Sequence, residues 1–396
     1  MLDVYKVIGR KKNLFEEDLS ILRDEIYQKI SGSKFLVLGG AGTIGSAVVK
    51  EIFKNNPLKI HVIDIDENSL AELVRDIRSS FGYIEGDFET FCIDVGSIIF
   101  KQYMHSNHDF DYILNLSALK HVRSEKDPYT LMRLIEVNIL NTVRTLELAK
   151  NYNIKNYFCV STDKAANPVN LMGASKRIME MFLVREVKNI KISMARFANV
   201  AFSNGSLLDG FKNRLEKMQP LAAPSDIKRY FITPEESGQL CLLSSLYGKD
   251  AEIFFPKFSS EFNLKSFQFI TEKFLENNGF EPFICDSEDQ ARDFFKKNKI
   301  EKFWPCFFSK TDTTGEKPFE EFFTERETIN SDIFKSISIV ESYHFSSNAA
   351  LDNFIRNIEK LKKIGQWSKG DIVKEILQLL PEMKYEDFGR YLDTKM

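Results

Sequence analysis

The chain lacks the features that would set it outside an ordinary globular class. Its 396 residues hold five cysteines, Cys92, Cys159, Cys241, Cys285 and Cys306, and no C-x-x-C pair. Their scatter and odd number argue against a disulfide framework and against a zinc site, and fit a reducing cytoplasm. An excess of charge of one sign is also missing. The formal net charge is -3, which gives no reason to expect nucleic acid as a partner. The N-terminus carries charges throughout and has no apolar run long enough for a signal peptide or a membrane helix. No internal repeat or low-complexity segment is visible. What remains is 43% hydrophobic and 28% charged, enough for one large domain with additions.

Residues 1–32 read as a terminal extension, with Leu14, Leu19, Leu22, Ile26 and Ile30 at roughly helical spacing. The run Lys34–Leu38 predicts a strand. Gly39, Gly40, Gly42 and Gly45 follow, and an apolar helical pattern runs from Ile44 to Phe53. Glycines in this arrangement permit a tight turn, close approach of backbone to a pyrophosphate, and packing of helix on strand. The helix start offers free N–H groups and a positive dipole end to phosphates. Gly39, Gly42, Thr43, Ile44 and Gly45 therefore form the candidate cofactor loop. A second strand ends at Asp64, about 20 residues further on, where a carboxylate holds the adenosine ribose hydroxyls. An acid there repels a 2′-phosphate, so NAD is expected ahead of NADP.

The alternation continues. A third strand is expected to end at Asp94, a fourth to span Asp111 to Ala118, a fifth to end at Thr162, and KISMARF to give a sixth. Helices are expected from Tyr129 to Asn151, with Asn138 inside, and from Asn170 to Val187. This order predicts an α/β fold: a doubly wound parallel sheet with ligands at the carboxyl ends of its strands. The expected division is an N-terminal extension (1–32), a dinucleotide-binding domain (33–200), a smaller mixed substrate-binding region (201–324) and a helical C-terminal extension (325–396). The substrate region is interleaved with the sheet, to which AEIFFPKF is expected to return.

Several motifs then fall in order. LSALKHVRSEKDP places Lys120, His121, Glu125 and Pro128 in the pattern A-A-x-K-H-V-x-x-x-E-x-N-P. STDKAANPVNLMGASKRIME, RFANVAFSNGSLL and TGEKPFEEF follow. With GGAGTIG, this set resembles the extended short-chain dehydrogenases, specifically the CapD-like nucleotide-sugar 4,6-dehydratases of bacterial polysaccharide biosynthesis. The resemblance covers roughly Ser33 to Phe323, and GRYLDTKM resembles the terminus of some longer members. Two departures stand out. Short-chain dehydrogenases usually carry Tyr-x-x-x-Lys, whereas Met172 stands in the tyrosine position before Lys176. A thioether has no ionisable proton. Relatives also often have Arg two residues before the glycine of TGEK, and here that residue is Thr313.

The resemblance implies a redox-neutral lyase on a dehydrogenase fold. It removes water across C5 and C6 of a nucleotide-linked N-acetylhexosamine and leaves a 4-keto-6-deoxy sugar. Bound NAD(P) accepts hydride from C4 and returns it to C6. Thr162 would bond O4. Asp163 would protonate O6, if burial raises its pKa, and Lys164 would be the C5 base, if its surroundings lower its pKa towards neutrality. Lys176 would hold the nicotinamide ribose. Met172 would shape the pocket without proton transfer, and the Met version implies retention at C5. Asp94 and Val95 would meet the adenine, with Ala118 and Lys120 along the cofactor. Lys120, His121, Asn199, Ser203 and Ser206 would face the substrate. Arg229 would take two diphosphate oxygens, and Glu316 the nucleoside ribose. No metal is implied.

A cytoplasmic homo-oligomer without a membrane span is expected. Two other readings stay open. A C4 epimerase or reductase on the same fold leaves Thr162, Asp163 and Lys164 unexplained. A silent dinucleotide-binding protein has no need to retain them. UDP- and GDP-linked substrates are not distinguished.

Overall fold

A computed structural model describes residues 2–260, 262–297, 302–312, 315–342 and 347–390 of the protein. Six strands run in parallel: β1 (Lys34–Leu38), β2 (Lys59–Asp64), β3 (Asp87–Cys92), β4 (Tyr112–Asn115), β5 (Asn156–Thr162) and β6 (Lys191–Phe197). β7 (Glu252–Pro256), within the expected AEIFFPKF run, joins β6 in parallel. β8 (Thr328–Asn330) and β9 (Ile337–Ser342) close that edge in antiparallel pairing. The order is β8-β9-β7-β6-β5-β4-β1-β2-β3. Phe35, Leu36, Val37 and Leu38 are all fully buried, as strands covered on both faces require. Strand order reverses between β4 and β1, and that opens the crevice where ligands of such sheets lie.

Local differences from the expected elements have physical causes. β4 stops at Asn115 instead of running to Ala118. The Asn115 amide donates to Thr142 Oγ1 (3.2 Å) and Tyr157 Oη (3.1 Å), and its Oδ1 accepts from Ser117 N–H (3.2 Å), which bends the chain out of the ladder. β3 ends at Cys92, so Asp94 lies in the loop beyond it. The helix expected from Tyr129 begins at Pro128, capped by Asp127, and carries one π turn over Glu136–Leu140 before continuing through Asn141–Asn151. Such turns free side chains for special contacts. The buried Asn138 accepts from Leu119 N–H (2.9 Å) and donates to Leu119 O (3.0 Å) and Ser175 Oγ (2.9 Å). It thereby ties the loop after β4 to the helix Leu171–Arg185.

The terminal segments pack on the body of the same chain. Ile26 and Ile30 of helix Glu16–Ser31 are buried, and Arg10 forms a buried ion pair with Glu236. Helices Asn348–Ile364 and Lys369–Leu379 bury Leu351, Phe354, Ile358, Ile372 and Ile376 against Leu131, Ile135, Ile178 and Phe182. Behind β5 and β6, Arg196 is fully buried between Glu180 (2.7 Å) and Glu327 (2.8 Å). A separate three-stranded parallel sheet joins Leu221–Pro224, Phe303–Ser309 and Glu281–Cys285. No helix among the described residues is long and apolar enough to cross a membrane.

Candidate active site

The glycine loop shows which of its positions serve packing and which face open ground. Gly39 has φ +73, and a Cβ there would lie 2.7 Å from Ser117 N. A Cβ at Gly45 would lie 2.2 Å from Gly39 O, so the helix Thr43–Phe53 seats against the loop only with glycine. Gly42 is different: its nearest neighbour would be 3.7 Å away, and it opens a helix whose first N–H groups receive no side-chain cap. Open backbone before unclaimed donors fits a pyrophosphate. Ile44 is half-buried behind it. Asp64 ends β2 and braces the loop, accepting from Ala41 N–H (2.9 Å) and Asp66 N–H (3.1 Å). Asp94 is held by Arg133 (3.0 Å) and Gly96 N–H (2.8 Å), with Val95 buried beside it and Ala118 exposed past β4.

A second cluster connects this cradle to the segment after β6. Thr43 Oγ1 accepts from Asn204 N–H (3.0 Å). Lys120 Nζ donates to Ser203 Oγ (3.3 Å). Its side chain reaches solvent, yet protein crowded around the amine lowers its proton affinity. Burial does the same to His121, whose ring lies 3.2 Å from where a Gly205 Cβ would stand. Ser206 does not reach this cluster with its hydroxyl. Its Oγ caps helix Leu207–Glu216 by accepting from Asp209 N–H (3.3 Å). Asn199 sits in a two-residue strand paired with Phe231–Ile232.

The third cluster lies at the carboxyl end of β5. Asp163 Oδ1 accepts from Thr162 Oγ1 (2.9 Å), Lys164 N–H (2.9 Å) and Lys164 Nζ (3.1 Å). Lys164 Nζ also lies 3.8 Å from Glu320. The expectation that surroundings lower Lys164 is corrected here. Desolvation does pull the amine down, but the carboxylates of Asp163 and Glu320 outweigh it, and its pKa stands above the ordinary lysine value. Glu320 is itself buried, and burial raises its pKa. Arg229 is buried and donates within the protein to Glu316 (2.7 Å), Lys228 O (3.0 Å) and Lys317 O (2.9 Å), with Glu320 at 3.7 Å. The guanidinium and the Glu316 carboxylate are thus partners of each other. Thr313 lies outside the described residues, as do residues 391–396 of the GRYLDTKM terminus.

Lys176 and Met172 lie on the same helix with different neighbours. Lys176 is buried and donates to Val160 O (3.0 Å), and desolvation lowers its pKa. Met172 is 4% exposed and belongs to the apolar cluster shared with the C-terminal helices. Its N–H donates to Glu125 Oε1 (2.8 Å). Glu125 is fully buried, and burial pushes its carboxyl up to about 7.

Sequence reasoning missed two residues here. Glu320 is in the quoted TGEKPFEEF motif but carries no spacing signal towards Lys164, which is 156 positions away. Gly173 follows Met172, and a Cβ there would lie 2.5 Å from Lys164 O. Only glycine lets this helix abut the Lys164 backbone so closely.

Comparison with known proteins accords with this arrangement. Capsular polysaccharide biosynthesis protein CapD of Staphylococcus aureus is 31% identical over 260 residues, 64% of this chain and 41% of CapD, so the chain spans less than half of that relative. UDP-N-acetylglucosamine 4,6-dehydratase (inverting) of Campylobacter jejuni is 28% identical over 239 residues, 58% of this chain and 68% of the relative. Among solved structures, Pen from Bacillus thuringiensis superposes with TM-score 0.64 at 19% identity, covering 83% of this chain and 98% of that one, which shows the shared fold. The model of the family described as polysaccharide biosynthesis protein matches residues 35–342. With so much of the sheet and all three clusters inside that match, the chain belongs to the polysaccharide biosynthesis protein family.

Proposed function

We propose that the protein is a nucleotide-sugar 4,6-dehydratase, converting UDP- or GDP-linked N-acetylglucosamine to the 4-keto-6-deoxy sugar for surface glycan synthesis. One observation carries this reading: Lys164 lies between two carboxyl groups, 3.1 Å from Asp163 and 3.8 Å from Glu320. A second lysine, Lys176, is on the neighbouring helix. Epimerisation at C4 needs one group to move one proton. Elimination of water needs more: a base at C5 and an acid at O6. A lysine flanked by two carboxyls supplies that larger set, and an epimerase leaves it without work. The Campylobacter relative is named a UDP-N-acetylglucosamine 4,6-dehydratase, and the Staphylococcus relative a capsular polysaccharide biosynthesis protein.

A nicotinamide dinucleotide on the glycine loop supplies reversible hydride acceptance at C4 and return at C6. Asp64 favours NAD, because its carboxylate repels a 2′-phosphate. Lys176 positions the nicotinamide ribose through the N–H left over from Val160 O and Met179 Sδ. Thr162 bonds O4. Asp163 and Glu320 favour the ammonium form of Lys164 in the free protein, so the amine gives a proton to solvent as the sugar binds; as free amine it then removes the C5 proton, which the adjacent C4 ketone has made acidic, and later returns a proton to C5. Met172 is packing, and its place in the tyrosine position supports retention at C5, in contrast to the inverting Campylobacter relative.

The test is NMR of the purified protein with UDP- or GDP-N-acetylglucosamine in D2O without added cofactor. A 4-keto-6-deoxy product carrying deuterium at C5 supports the reading. A stable 6-hydroxy C4 epimer refutes it.

A further inference from the structure

With Met172 in place of tyrosine, the O4 proton needs another acceptor. We propose that Glu320 is that acceptor and also the acid that releases O6, one carboxyl serving both steps; this rests on the dehydratase reading. The two candidate carboxyls differ in what already holds them. Asp163 Oδ1 takes three hydrogen bonds, including one from the amine it steadies. Glu320 has no hydrogen bond shorter than 3.5 Å among the described residues, and it forms long ion pairs with Lys164 Nζ at 3.8 Å and Arg229 at 3.7 Å. Its side chain is only 3% exposed. It is therefore a buried carboxyl beside the C5 base with its oxygens uncommitted. Burial favours its protonated form, so a proton taken up there is retained until it is used.

The proton count closes with this one group. As hydride leaves C4, the O4–H bond breaks and its proton passes to the Glu320 carboxylate, leaving the C4 ketone. Lys164 then takes the C5 proton, the C5–H electron pair forms the C5–C6 double bond, and the C6–O bond breaks. The departing hydroxyl takes the proton from Glu320 and leaves as water, which restores the carboxylate. Hydride returns to C6 and Lys164 gives a proton to C5. O4 and O6 are 1,3-related on the hexose, so one carboxyl can serve both. Asp163 is then a positioning residue that acts through Lys164.

Glu320→Gln keeps size and shape but cannot carry the proton. We expect unchanged melting temperature and dinucleotide retention, with turnover down by at least about 100-fold. A 6-deoxy-6-fluoro sugar nucleotide loses fluoride without needing a proton. It still needs a base at O4, so with Glu320→Gln it should recover only the O6 share of the loss, formation of reduced dinucleotide at about 340 nm should stay slow with both substrates, and Asp163→Asn should show no recovery. Glu320→Asp, which keeps the proton chemistry with a shorter reach, should retain more turnover than Glu320→Gln. Wild-type turnover in Glu320→Gln overturns the proposal, as does wild-type formation of reduced dinucleotide in that variant. If the wild-type protein forms no 4-keto-6-deoxy product at all, the dehydratase reading itself fails.

Discussion

Gly173→Ala puts the geometry of the site to a direct test. The added Cβ would stand 2.5 Å from Lys164 O and 3.1 Å from Asn170 Oδ1. The first of these is a backbone atom and cannot rotate aside. Reaching ordinary contact at 3.4 Å requires about 0.9 Å of separation between the helix Leu171–Arg185 and the Lys164 segment. Overpacking of this kind costs about 1–3 kcal/mol. The displacement falls on the residue assigned to the C5 proton, and a misplacement of about 1 Å costs roughly 100-fold in rate. Gly173→Ala should therefore fold with a lowered melting temperature and lose about 100-fold in kcat, with KM changed far less. Gly210→Ala is the control, since its Cβ meets nothing within 4 Å. Both are read by steady-state formation of the keto sugar and by thermal melting. Wild-type kcat in Gly173→Ala would show that the close approach of helix and Lys164 has no bearing on the chemistry.

Further outcomes follow from the buried charges. Glu125 is held near 7 against an ordinary carboxyl of 4.5. The folded chain thus binds this proton more tightly, and the stabilisation is complete below about pH 4.5 and lost as pH rises through about 7, roughly 3 kcal/mol in all. Glu125→Gln keeps an acceptor for Met172 N–H and has no such dependence. Its stability relative to wild type should improve by about 3 kcal/mol between pH 4.5 and 8; parallel pH profiles in denaturant melts would contradict this. Arg196→Met leaves Glu180 and Glu327 buried without the guanidinium that holds Glu327 down at about 2. It should destabilise the protein by about 3–5 kcal/mol, and a change under 1 kcal/mol in urea melts would refute that role.

The parallel sheet is legible in the sequence because each buried strand is a short apolar run, and the cofactor loop because Gly39, Gly42 and Gly45 have distinct steric demands. The site is legible only where its residues are close in the chain. Thr162, Asp163 and Lys164 are neighbours, and the turn after β5 brings them together. Glu320 comes from beyond β7 and reaches Lys164 only through the tertiary fold, so no spacing rule marks it. The same limit explains the reversal at Lys164. A lysine at a strand end suggests desolvation, and the two carboxylates that outweigh it are visible only once the chain is folded. The contacts of Arg229 with Glu316 and Lys317 likewise join residues nearly ninety positions apart, which no spacing rule marks.

The central claim is that Lys164 removes the C5 proton of a nucleotide-linked hexosamine in this family member. The most direct measurement is C5 deuterium incorporation from D2O, followed by NMR on the 4-keto-6-deoxy product of wild type and of Lys164→Ala. The wild type should form the product with deuterium at C5, and Lys164→Ala should retain its dinucleotide but show neither exchange nor product. Product carrying C5 deuterium from Lys164→Ala at the wild-type rate would contradict the assignment.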